Sequence, residues 1–187
     1  MDVMRDMSSS ERHVMWAVIL IVSNILASGV FACATPFAGL AALVALDSDK
    51  RNGLILIGLV WLADQMVGFV FLGYPHEVQA YAWGIAIGLG AIAAFLAARS
   101  FVAAFIAHSL TATVVGAFAV AFAVYQLVLY AATFVLGGSG AFSFKIVFYV
   151  GLVNAIGFVV LIIAHFIAMA AGLVDRNRVE ERTSFSA

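Results

Sequence analysis

Asp64 stands inside "GLILIGLVWLADQMVGFVFLG", Gly53 to Gly73, an apolar run of single-span length. A carboxylate in mid-bilayer costs about 2.5–3.5 kcal/mol on insertion scales, so one kept there is expected to relay a proton, hold an ion or touch a ligand. Gln65 follows it and Trp61 lies one helical turn before it, giving a polar patch with an aromatic wall. Amides interrupt three other apolar runs at Asn24, Gln126 and Asn154. Such amides bond neighbouring helices at about 0.6–2 kcal/mol each, or offer contacts to a ligand. The polar stretch "GYPHEVQAY" adds Tyr74, His76, Glu77, Gln79 and Tyr81, and Trp83 follows it. The expected substrate-binding set is Asn24, Trp61, Asp64, Gln65, Tyr81, Trp83, Gln126 and Asn154.

A second constellation is His108 and His165, nine residues beyond Arg99 and eleven before Arg176. Each then lies about 14–16 Å from its helix end. Two histidines at one depth could ligate a b-type haem or a metal, and a haem-binding electron-transfer protein is the alternative function. The structural reading has them satisfy each other or a backbone carbonyl, since no further ligands accompany them.

The elements that position these groups follow from composition. The 187 residues are 65% hydrophobic and 10% charged, with mean hydropathy +1.14. So few charges cannot coat a water-soluble domain of this length. The runs are too long and too continuous for the alternating strands of a membrane β-barrel. The fold class is therefore an all-α, multi-pass membrane protein, a single polytopic domain over 1–187, with the lipid bilayer as its first partner. A net charge of −1 with no basic patch gives no sign of nucleic acid. One cysteine, Cys33, cannot form an intrachain disulfide, which excludes thiol oxidoreductase chemistry that needs a pair. Metal-dependent phosphotransfer needs several intramembrane carboxylates, and neither HExxH nor a nucleotide loop is present. The chain is not expected to be an enzyme, and its leading reading needs no cofactor.

Apolar segments run 14–46, 53–73, 79–98, 101–136 and 146–174. If 14–46 turns around near Ala32–Pro36, one side of the membrane holds Arg5, Arg12, Lys50, Arg51, Arg99, Arg176, Arg178 and Arg182, and the other only Lys145. That eight-to-one split satisfies the positive-inside rule better than a single crossing does. Proline suits the first turn of a new helix and disfavours α conformation just before it, with Thr35 as the expected N-cap. The predicted layout is six transmembrane helices over about 14–31, 35–47, 53–73, 79–98, 101–136 and 146–174. Both termini, 1–13 and 175–187, are cytoplasmic, in the cytoplasmic (inner) membrane. Helices 1 and 2 must be short or tuck against neighbours, helix 5 is long, and Cys33 faces outward. The small residues "ACA" before Thr35 also resemble a cleavage site, but three acids in 1–13 are unlike a signal peptide. Gly84 and Gly88 in "WGIAIGLG" have GxxxG spacing and are expected to serve close helix packing.

Six helices with both ends inside, and a short second helix after a small-residue first one, resemble the substrate-binding S-components of energy-coupling-factor vitamin transporters. The resemblance covers the whole chain as architecture. It implies a pocket that opens outward, a vitamin or trace nutrient as small-molecule ligand, and a membrane coupling subunit or ATPase module as partner. Ser23, Ala27 and Ala32 would take the docking part, although Phe31 interrupts the family's Ala-xxx-Ala spacing. A non-catalytic membrane assembly factor is the third reading.

Overall fold

The computed structural model describes residues 9–30, 35–105 and 109–170. Six helices make up the described fold: α1 Ser9–Val30, α2 Phe37–Asp47, α3 Lys50–Val70, α4 Val78–Phe105, α5 Leu110–Leu136 and α6 Phe144–Ala170. A short 3-10 turn, Ser139–Phe142, joins the last two. Four of them, α3 to α6, are long and apolar enough to cross a membrane. Their outer faces carry large apolar side chains such as Ile55, Leu59, Leu127, Phe134, Leu152 and Ile163. A soluble monomer does not expose so much contiguous apolar surface. This is the surface of a membrane protein.

The centre of the bundle is α2. Nine consecutive residues, Phe37 to Ala45, are buried, as befits a helix that is apolar all round. Its alanines and Gly39 let α4, α5 and α6 approach closely, with α3 on the remaining side. Around it pack Ile57 and Val60 of α3, Ala94, Phe95 and Ala98 of α4, Ala117 and Ala121 of α5, and Leu161 of α6. α1 packs at the edge of this core against α3 and α6, contributing Trp16 and Leu20 to it. At 11 residues, α2 is about 16 Å long, half the depth of a bilayer core. The expectation that the second segment tucks against its neighbours thus holds in a strong form.

The two ends of the bundle differ. At one, Arg99 donates from Nη1 to the carbonyl of Ser48, the C-cap of α2, at 2.6 Å, a cation placed where the helix dipole favours it. Asp49 then caps α3, accepting from the Asn52 backbone at 3.4 Å and the Asn52 amide at 2.6 Å. Partial burial pushes the Asp49 carboxyl up, but these bonds outweigh it and hold the group below its ordinary range. At the opposite end, Gly73, Gly137 and Gly138 take positive φ at the turns after α3 and α5. There the Gln79 amide donates to the Leu136 carbonyl, tying α4 to α5.

Three expected boundaries are corrected. Thr35 is not the N-cap of α2; Pro36 is, and it makes no side-chain cap bond. Both residues are buried, so this part of the turn lies inside the bundle and not at a surface. The fourth helix runs through Arg99 to Phe105, so 101–105 belong to α4 and not to a long fifth helix. The reason is that Arg99 reaches sideways to Ser48, while the helix signal sits at Ser109, whose hydroxyl caps α5 at Ala112. The long fifth segment is thereby shortened to Leu110–Leu136. Cys33, Ala32, His108 and the tails 1–8 and 171–187 lie outside the described residues.

Candidate functional site

A cavity of about 440 Å³ opens at the end of the bundle opposite Arg99, within the size range of small-molecule sites. Its floor is the start of α2. Thr35 and Phe37 lie there beside Asp64, which is 9% exposed. Asp64 sits six residues short of the end of α3, about 9 Å along the axis. The Thr35 hydroxyl donates to Asp64 Oδ1 at 3.0 Å, and the Gln65 amide donates to Oδ2 at 3.4 Å. The walls come from Trp83, Gly84 and Ile87 of α4, Tyr125, Gln126 and Leu129 of α5, and Ile146, Val147 and Val150 of α6. Tyr74 and Pro75 from one loop, with Ala141 and Phe142 from the other, form the mouth.

Local sequence explains how these groups reach the cavity. A Cβ at Gly84 would collide with the Gln65 side-chain oxygen, so the missing side chain lets Gln65 lie across α4 toward the floor. Tyr74 folds back on Gly68 in the same way, and its ring meets Phe69 edge-on at 5.8 Å. Tyr125 is buried, its ring 6.4 Å from Phe37.

Of the eight residues expected at the site, the structure brings together Asp64, Gln65, Trp83 and Gln126. Trp61 instead points along α4: its indole N–H donates to the Gly84 carbonyl at 2.8 Å and its ring covers Gly88. The Gly84–Gly88 pair therefore does serve α3–α4 packing, by receiving side chains of α3. Tyr81 stands outside the cavity, stacked on Phe69 at 4.7 Å and bonded to His76 at 2.9 Å. Asn154 is fully buried below the floor; its Oδ1 accepts the Ala38 N–H at 3.0 Å and its Nδ2 donates to the Val150 carbonyl at 3.0 Å. It holds α2 in place rather than lining the cavity. The Asn24 side chain lies outside the described residues. Outside that expected set the cavity is also lined by Tyr125 and Phe37, aromatic residues in apolar runs that carry no signal of facing inward, and by Tyr74 and Phe142 from the two loops.

Away from the cavity, His165 lies at the Arg99 end, its Nε2 4.0 Å from Asp47 and its ring 5.5 Å from Trp16. Its Nδ1 is buried with no hydrogen-bond partner among the described residues. Also among the described residues, no three His, Cys, Asp or Glu come together as a metal site. Comparisons with protein-family models, with curated proteins and with solved structures found no match.

Proposed function

We propose that this chain is a membrane-embedded binding or transport subunit for a small nutrient, with its cavity facing outward. The observation that carries the reading is the cavity itself: a mostly apolar chamber of about 440 Å³ with polar groups gathered at its floor. That is the form of a ligand site, where apolar walls supply contact and a few polar groups fix orientation. Charge supports the orientation. Lys50, Arg51 and Arg99 belong to the end away from the cavity, and Lys145 to the cavity end. The positive-inside rule then puts the cavity on the outer side of a cytoplasmic membrane. In this reading both termini lie inside, and α2 is a half-length helix that closes the chamber from below.

The resemblance to S-components of energy-coupling-factor transporters supports the same function, with a coupling subunit or ATPase module as partner. Of the small residues assigned to docking, Ser23 is half-buried on α1, and Ala27 and Ala32 have no described side chains.

Cysteine accessibility tests the reading. In a Cys33→Ser background, Val147→Cys in the chamber wall and Ser139→Cys in the exposed turn that leads to Ala141 should react with a membrane-impermeant maleimide on intact cells. Ser48→Cys should react only after the membrane is opened. Labelling of Ser48→Cys from outside, with Val147→Cys protected until permeabilisation, would reverse the orientation and end the proposal.

A further inference from the structure

We propose that the cavity takes an uncharged molecule with a flat ring, held at Gln126 through an amide-like edge that presents a hydrogen-bond donor beside an acceptor. This rests on reading the cavity as a ligand site. The side-chain amides of Asn52, Gln65, Gln79 and Asn154 each donate to an acceptor of the protein. Gln126 differs: it lines the chamber and has no hydrogen-bond partner among the described residues. It stands ten residues before the end of α5, about 15 Å along the axis. An amide set in an apolar wall loses its water bonds, and a ligand that restores them gains what the protein does not supply. Its carbonyl oxygen accepts and its NH2 donates, side by side, so it pairs with a lactam, a primary amide or a heterocycle edge that offers both. The pairing holds whichever way round the amide is turned.

The rest of the chamber selects against charge and for a ring. None of the described lining residues is Lys, Arg or His, so an anion meets no cation there. The one lining carboxyl, Asp64, is 9% exposed, with Thr35 bonded to one oxygen and Gln65 to the other. A cation would have to draw it away from these partners, whether or not the carboxyl carries a proton. Trp83 and Phe142 add aromatic side chains to the walls, and paired rings gain more than the area they bury. A neutral but strongly polar ligand would lose its water shell to walls that offer few hydrogen-bond partners. A flat ring with a single amide-like edge loses least, and Gln126 answers that edge.

Equilibrium titration of the full chain in lipid nanodiscs, with empty nanodiscs subtracted, decides the matter with four bicyclic probes of similar size. These are 2-quinolone, which carries the lactam edge, N-methyl-2-quinolone, whose donor is capped, the anion 2-naphthoate and the cation N-methylquinolinium. The lactam should saturate at least about tenfold more tightly than its capped form, the ratio expected when one hydrogen bond is lost and its acceptor left unpaired. Both ions should bind more weakly than the lactam by at least the same factor. Gln126→Leu should erase the preference for the lactam over its capped form; a preference that survives the substitution overturns the assignment to Gln126. If the capped probe or either ion binds as tightly as the lactam, the uncharged, amide-like ligand is overturned and the cavity reading stands. If no probe binds above empty nanodiscs, the assignment is overturned too, and the accessibility of Val147→Cys judges the cavity separately. Should Gln126→Leu fail to fold, the four-probe comparison on the unsubstituted chain decides alone.

Discussion

The side-chain oxygen of Asn154 accepts the backbone N–H of Ala38 at 3.0 Å, across 116 residues of chain. Three residues earlier, Thr35 donates to Asp64 at 3.0 Å. The first turn of α2 is thus held from two sides, by α6 through Asn154 and by α3 through Asp64. A helix start buried away from water needs such partners, because its first N–H groups have none within the helix. Since Pro36 supplies no side-chain cap, Asn154 takes that part from another helix. The cavity floor is therefore a structural joint as well as a polar surface.

Removing that joint should be felt as stability. Asn154→Ala leaves the Ala38 N–H buried without its acceptor, at about 1–3 kcal/mol. Thermal unfolding in detergent should show a lower midpoint. Asn154→Asp keeps the acceptor oxygen and should retain part of the loss. Equal midpoints for Asn154→Ala and the parent would show that this contact does not hold α2.

The opposite face of the joint is steric. A Cβ at Gly157 would stand 2.6 Å from the Cβ of Pro36, and a proline ring cannot rotate away. Gly157→Ala should therefore destabilise by about 1–3 kcal/mol, as overpacking does. Gly58 has nothing within 4 Å of the added atom, so Gly58→Ala is the matched control and should leave the midpoint unchanged or raised.

The two tryptophans of α3 and α4 should separate packing from binding. Trp61→Phe loses the indole bond to Gly84 and should cost about 0.5–1.5 kcal/mol of stability, with what the chamber binds unaltered. Trp83→Ala removes a chamber wall and should weaken that binding. Weakened binding in Trp61→Phe with none in Trp83→Ala would contradict the assignment of the walls.

These contrasts mark where the sequence was legible. An acid inside an apolar run is conspicuous because the bilayer penalises it, so Asp64 and its neighbour Gln65 could be found by inspection. Depth could be read too: Gln126 lies ten residues from the same end of its helix that Asn154 lies ten residues from in its own. Rotation about the helix axis could not. In a membrane both the lipid face and the interior face are apolar, so hydropathy does not say which way Trp61, Tyr81 or Asn154 points. The helix boundary at Arg99 was obscured for a related reason. A charge there looks like an interface, but its partner, the Ser48 carbonyl, is supplied by the end of another helix. The central place of α2 was partly visible in "FAGLAALVAL", whose small and apolar residues leave no face for water.

The central claim, that the chamber binds a small nutrient, is tested most directly by asking what it retains. The purified chain in nanodiscs is dialysed to equilibrium against a small-molecule extract of the growth medium and cells, beside Val150→Trp, which fills the chamber from α6, and beside empty nanodiscs. Mass spectrometry of the protein side should find at least one metabolite enriched with the parent chain and absent from both controls. A Val150→Trp variant that unfolds at the parent's temperature yet enriches the same compounds to the same extent would contradict the account.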